Sequence, residues 1–203
     1  MEKHRFVGKT KEEALKEAKI KLEETNEDNL IVNEIDTKKT LFSKKVEIEV
    51  IERNELIQFI KDYIYNTLKN MGFSVKIEIL NKNETPTFRI YSDNDALLIG
   101  KEGKNLKALR HIIGQAIKKE TNNNFKFVVD VSNYQEKKEK HLVFLAKKIA
   151  REVAASKVEV KLDSMNSYER RIIHNALTNN KKVYTESTGE EPNRCVVIKP
   201  KED

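Results

Sequence analysis

Ala96-Leu97-Leu98-Ile99-Gly100-Lys101-Glu102-Gly103-Lys104-Asn105-Leu106 decides how this chain is read. A short apolar helix runs into two glycines spaced around two charged residues, and an amphipathic helix follows at once. The first N–H groups of that second helix lack intrahelical partners, and the helix dipole adds partial positive charge there. Glycine has no Cβ, so the backbone of a polyanion can approach the main chain closely. Lys101 and Lys104 sit where its phosphates would lie, with Lys107 one turn further on. The spacing predicts an anion-binding turn over Gly100, Lys101, Glu102 and Gly103. The Glu102 carboxylate repels phosphate and is expected to weaken that contact rather than abolish it. The bland alternative is a glycine connection between two helices that holds nothing.

The surroundings favour the first reading. Upstream, Ile57, Ile60, Ile64 and Leu68 mark a helix that ends near Met71-Gly72, where glycine suits a C-cap. Val75, Ile77 and Ile79 alternate in one strand and Phe88 and Ile90 in the next, with a polar turn from Asn81 to Pro86 between them. Downstream, Leu106, Leu109, Ile113 and Ala116 form the buried face of the second helix, with Lys104, Lys107, His111 and Lys118 on the other. Phe125, Phe127, Val129 and Val131 alternate in a closing strand. The order is α-β-β-α-(Gly-x-x-Gly)-α-β.

Before this segment, Thr10-Lys11-Glu12-Glu13 reads as a capping box for a helix to about Glu24 that buries Ala14, Leu15, Ala18 and Leu22. Arg5-Phe6-Val7, residues 30–35 and the strictly alternating residues 46–51 complete a β-α-β-β unit. About fifty residues is marginal for an independent core, so a small docking module is expected. After it, a long helix runs from about Tyr134 to Ala155 with Leu142, Leu145, Ile149 and Val153 inward. A strand over 157–162, a helix capped reciprocally by Asn166 and Glu169, and strands over 182–185 and 194–199 follow. Lys137-Lys138-Glu139-Lys140 and Lys147-Lys148 read as the solvated face of the long helix.

Composition narrows the function. The chain has 203 residues, net charge +6, one cysteine and four histidines. Residues 1–50 carry net −1, residues 51–134 net +3 and residues 135–203 net +4. The basic excess therefore lies where a nucleic-acid surface is expected. Cys195 can form no intrachain disulfide, and the histidines lack metal-ligand spacing. No stretch reaches the roughly 18 apolar residues of a membrane span, so a cytoplasmic setting is expected. No P-loop, nucleophile motif or convergent carboxylate cluster supports an enzyme, and no cofactor is implied.

A second constellation lies in Met165-Asn166-Ser167-Tyr168-Glu169-Arg170-Arg171-Ile172-Ile173-His174. Arg170 and His174, four apart, stack on one side of a helix, while Arg171 lies further round toward solvent. Arg170 offers a fork of donors for phosphate, and His174 a ring that can donate a bond or stack on a base. The bland alternative has His174 bordering the apolar stripe and bonding nearby backbone.

Gly100–Gly103 in its α-β-β-α-α-β setting resembles the clamp by which KH domains hold about four nucleotides of single-stranded nucleic acid. Met165-Asn166 and Tyr168-Glu169-Arg170-Arg171-Ile172-Ile173-His174, with Thr185-Glu186-Ser187 and Gly189-Glu190-Glu191-Pro192, resemble the Jag family (SpoIIIJ-associated proteins). The resemblance covers essentially the whole chain and is weakest over 1–50. It implies an α+β protein of three small domains: a Jag N-terminal domain over 1–52, a bacterial-type (type II) KH domain over 53–133, and an Arg-x-x-x-His (R-three-H) domain over 134–203. It also implies a non-catalytic regulator that binds single-stranded RNA, or single-stranded DNA, through Gly100, Lys101, Glu102 and Gly103 and through Arg170 and His174, to which charge and helix position add Lys104, Lys107 and Arg171 as expected nucleic-acid contacts. The family is tied to bacterial cell-envelope elongation. The implied protein partners are a second copy or a small KH protein paired through the KH domain, and a membrane insertase or elongation-complex protein at the inner face of the membrane. An adaptor serving such a protein, with RNA binding secondary, is the competing reading, motivated by the net negative first fifty residues.

Several positions depart from the family pattern. Family members commonly carry a basic residue in place of Glu102 and proline in place of Ser164 and Ser167. The first domain usually ends in a glycine-rich, phenylalanine-containing loop. Lys39-Thr40-Leu41-Phe42-Ser43-Lys44 keeps Phe42 without the glycines. A long charged linker commonly follows, but here Ile51 to Asn54 leaves almost none, so the first domain is expected to lie close to the next.

Overall fold

A computed structural model describes residues 1–39, 44–82 and 85–201, which leaves Phe42 outside the described residues. The chain divides into two compact units, Met1–Ser132 and Asn133–Asp203. Among the described residues, six α-helices and three small three-stranded sheets make a mixed α/β architecture.

The first unit opens with β1 (His4–Gly8), α1 (Lys11–Lys21), β2 (Leu30–Lys39) and β3 (Lys44–Glu52), the strands pairing antiparallel in the order β1-β3-β2. The Thr10 side chain accepts from Glu13 N, but the Glu13 carboxylate reaches back to Lys9 N at 2.6 Å rather than to the cap residue itself. The helix stops at Lys21 instead of Glu24, because Glu23 turns to a φ of 52°. Phe6, Ala14, Ala18, Leu30, Val46, Ile48 and Val50 are buried together.

Ile31 and Ile51 face the other way. They are buried with Leu56, Ile60, Ile64, Phe88, Ile113 and Val131, in the core of the segment that follows. Through these two side chains the first three strands share a core with the segment that follows. Polar ties reinforce this. Glu2 N donates to Glu55 Oε2 at 2.6 Å, Lys3 Nζ to Glu120 O at 2.5 Å, and Asn33 Nδ2 to Thr121 O. The Arg53 guanidinium lies 5.5 Å from the centre of the Phe125 ring.

The rest of this unit is α2 (Arg53–Asn70), β4 (Val75–Lys82), β5 (Thr85–Ser92), α3 (Asp95–Ile99), α4 (Lys104–Thr121) and β6 (Val128–Val131). Its element order is the one read from the sequence. Gly72, at a φ of 88°, closes α2 with bonds from Gly72 N to Lys69 O and from Phe73 N to Leu68 O, a Schellman ending. β4 runs antiparallel to β5 and β5 parallel to β6, so α3 and α4 form the crossover that a parallel pair requires. The closing strand is shorter than its alternation suggested. Phe125 and Phe127 precede it, and Phe125 sits under Arg53 instead of in the ladder.

The second unit comprises α5 (Tyr134–Ser156), β7 (Val160–Ser164), α6 (Ser167–Leu177), β8 (Val183–Thr188) and β9 (Cys195–Pro200), with antiparallel strand order β7-β9-β8. β7 starts three residues later than expected because Lys157, at a φ of 58°, is spent closing α5. Both halves of the Asn166–Glu169 capping box are present. α5 buries Leu142, Ala146, Ala150 and Val153, while Leu145 and Ile149 are only half-buried. Alanine at two of the four innermost positions allows α5 to pack closely on Ile173, Leu177 and the sheet.

Candidate nucleic-acid interface

α3 is a single turn of helix, capped by the Asn94 side chain, which accepts from Leu97 N at 3.0 Å. Gly100 follows at φ 72° and ψ 175°, a conformation open essentially to glycine alone. Asn105 reaches back across the turn and donates from Nδ2 to Leu97 O at 2.8 Å. A Cβ on Gly100 would lie 2.6 Å from Asn105 Cγ. Glu102 (φ 57°) and Gly103 (φ 82°) are also left-handed, and α4 begins with no side-chain cap. The turn therefore presents main chain, uncapped helix N–H groups and the exposed side chains of Lys101, Glu102, Lys104 and Lys107.

From Lys107 a groove of about 480 Å³ runs along the outer side of α4. Lys107, His111, Gly114 and Lys118 follow one another at helical spacing, Arg110 flanks them, and Phe125 and Phe127 form the opposite wall. Gly114 leaves its floor open; a Cβ there would reach the Phe127 ring at 3.9 Å. Apolar walls topped by three full positive charges suit an anionic chain with planar substituents.

The Arg170–His174 pair is built differently from expectation. Arg170 is buried, with 7% of its surface exposed, and donates from Nη2 to Glu191 Oε1 at 2.9 Å. Its Nε is buried with no hydrogen-bond partner among the described residues. The guanidinium is thus engaged by a carboxylate from the β8–β9 turn rather than held open as a fork. His174 is half-buried, with Nδ1 2.6 Å from Thr185 Oγ1 and Nε2 2.8 Å from Ser187 Oγ. Burial first, then the nearby Arg170 charge, holds its pKa below the ordinary histidine value, so the ring is neutral at pH 7. One ring nitrogen donates to a β8 hydroxyl and the other accepts from one. His174 thus bonds strand hydroxyls, not backbone, and ties α6 to β8. Arg171 is exposed, as its position on the helix implied.

The R-three-H domain profile matches residues 140–200. A relative from Clostridium symbiosum, named RNA-binding protein KhpB, is 33% identical over 205 residues, spanning 97% of this chain and 91% of the relative. The chain belongs to the KhpB (Jag) family. The KhpB of Bacillus subtilis (strain 168) is 32% identical over 164 residues, 79% of either chain. That of Lactiplantibacillus plantarum is 34% identical over 137 residues, which span 68% of this chain and 42% of the relative.

In this KhpB-family chain the sequence reading named the turn and the lysines at its exit, but not Arg110, Gly114 or the Phe125 wall. The stripe at 107, 111, 114 and 118 was available from helical periodicity; the wall was hidden because Phe125 read as a strand residue. Among the described residues, no group of three or more His, Cys, Asp or Glu side chains is placed to hold a metal ion, and no helix is long and apolar enough to cross a membrane.

Proposed function

We propose that this chain is a non-catalytic RNA-binding regulator that holds single-stranded RNA at the Gly100–Gly103 turn and along the α4 groove. The observation that carries this reading is the turn itself. Two left-handed glycines deliver an uncapped helix N-terminus to the surface, with Lys101, Lys104 and Lys107 around it and a basic, partly aromatic groove continuing from it. The relatives' name, RNA-binding protein KhpB, supports RNA as the polyanion. In this reading residues 53–133 act as a KH-type module. The sugar-phosphate chain passes over Gly100–Gly103, and bases enter the groove beside Lys107, His111 and Phe127.

The Arg170–His174 face contributes a second contact. Arg171 supplies exposed charge, His174 and the β8 hydroxyls hold the surface in shape, and an incoming phosphate competes with Glu191 for Arg170. Linking two weak sites raises the effective concentration at the second, so the full chain binds more tightly than either face alone. Residues 1–52, net negative over their first fifty, are the segment we assign to a protein partner, at an insertase or elongation complex on the cytoplasmic side of the membrane.

Single-stranded RNA binding by wild type, Gly103→Asp and Arg170→Ala/His174→Ala across a salt series tests the reading. Aspartate tolerates the left-handed backbone of Gly103 and places a carboxylate against the phosphates. Weaker binding by both folded variants is expected. Unchanged affinity in folded Gly103→Asp removes the turn as a binding site.

A further inference from the structure

Phe144 is 67% exposed at the middle of α5, although that helix has a fully used apolar side in Leu142, Ala146, Ala150 and Val153. One exposed phenylalanine is unremarkable by itself. Its neighbours are not. The positions that share its face, at −7, −4, −3, +3, +4 and +7, are Lys137, Lys140, His141, Lys147, Lys148 and Arg151, and all are exposed. At about 100° per residue they all fall within about 60° of Phe144 around the helix, whereas the nearest acids, Glu136 and Glu152, fall about 80° away on either side. Of the five full cations, Lys140 is paired with Glu136 at 2.7 Å. Lys138 points elsewhere, to Glu169. The stripe from Lys137 to Arg151 is about 21 Å long.

We propose that this face of α5 is a further contact surface for single-stranded nucleic acid, with Phe144 stacking on one base and Lys137, Lys147, Lys148 and Arg151 holding the phosphates on either side. The inference rests on the RNA-binding reading above but on none of its residues. An aromatic ring inside a row of cations is the arrangement that binds single strands with little regard to sequence, because every base has a π-face and every linkage a charge. A membrane surface fits less well. A helix lying in a bilayer interface needs a broad apolar face, and here the outward face offers a single apolar ring.

The test uses the full chain and a labelled single-stranded oligouridine carrying 5-bromouracil. Phe144→Ser is expected to weaken binding about tenfold, the order of a lost base–aromatic stack. Lys148→Gln/Arg151→Gln is expected to lower the slope of log K against log salt by about 1.4, two single-strand phosphate contacts. Irradiation should attach the oligonucleotide to the tryptic peptide His141–Lys147. Far-UV circular dichroism checks that these surface variants remain folded. Wild-type affinity, slope and an unlabelled peptide, with Gly103→Asp still impaired, would overturn this proposal and leave the turn standing. The opposite pattern, Gly103→Asp unchanged and Phe144→Ser impaired, would remove the turn and keep α5. Loss of binding to phosphatidylserine vesicles in Phe144→Ser, with RNA affinity intact, would overturn it in favour of a membrane contact, and no RNA binding by wild type would overturn both readings.

Discussion

Gly114→Ala should make the protein more stable and a poorer RNA binder. Gly114 lies in the interior of α4 with helical backbone, so alanine there gains about 0.8–1 kcal/mol of helix propensity. No steric penalty offsets this gain. Among the described residues outside its own helical turn, the new methyl would meet the Phe127 ring, at 3.9 Å from Cζ and 4.0 Å from Cε1, which is ordinary van der Waals contact. For a unit of this size, about 1 kcal/mol raises the melting temperature by about 3–5 °C. The same methyl raises the groove floor between Lys107, His111 and Lys118, where the proposed reading seats a base or the chain itself. Single-stranded RNA affinity should then fall about three- to tenfold, about 0.6–1.4 kcal/mol. Urea melts followed by far-UV circular dichroism and fluorescence anisotropy with labelled RNA read the two effects separately. A loss of stability would contradict the geometry around Gly114. Higher stability with unchanged RNA affinity would refute the groove as the binding surface, since global damage could not be the explanation.

Further outcomes follow from the two units. Gly100→Ala forces alanine into a glycine-only conformation and drives Asn105 off Leu97 O. It should cost about 1–3 kcal/mol for the backbone and about 1 kcal/mol for the bond, and Asn105→Ala should add little on top in a double-mutant cycle; additive losses in urea melts would contradict the coupling. Glu191→Ala leaves a buried guanidinium without its carboxylate and should destabilise the second unit by about 1–3 kcal/mol, against no loss in its urea midpoint if the pair is incidental. His174 has a folded pKa below its ordinary 6.5, so the unfolded chain takes up this proton first. Its contribution to stability is therefore complete above about pH 6.5 and lost as pH falls from there toward the folded value. Glu186, held low by Lys199, adds a loss in the same direction only in the carboxylate range. Urea midpoints of wild type and His174→Asn from pH 8 to 5 should converge as pH falls, and parallel curves would refute the assignment.

Local signals were the legible part of this sequence. The Asn166–Glu169 capping box, the Gly72 ending of α2 and the alternation through Ile77, Phe88 and Ile90 each depend on neighbours within a few residues, and each appears in the structure. The glycines at 100 and 103 carried their backbone requirement on their face. Long-range partners were not legible. Nothing near Ile31 or Ile51 says that they leave one sheet's core for the next segment's, and nothing near Arg170 says that Glu191, 21 positions away, will occupy it. The phenylalanines at 125 and 127 misled because alternation describes which side a residue faces, not whether a ladder forms.

The sharing of Ile31 and Ile51 between two segments also sets a timetable. Both isoleucines are synthesised early, yet the core that buries them includes Ile113 and Val131. About 80 residues separate Ile51 from the end of β6, and at about 5–20 residues per second their synthesis takes roughly 4–16 s. During that interval Ile31 and Ile51 have no completed core to enter, because the residues that bury them in the finished unit are not yet made.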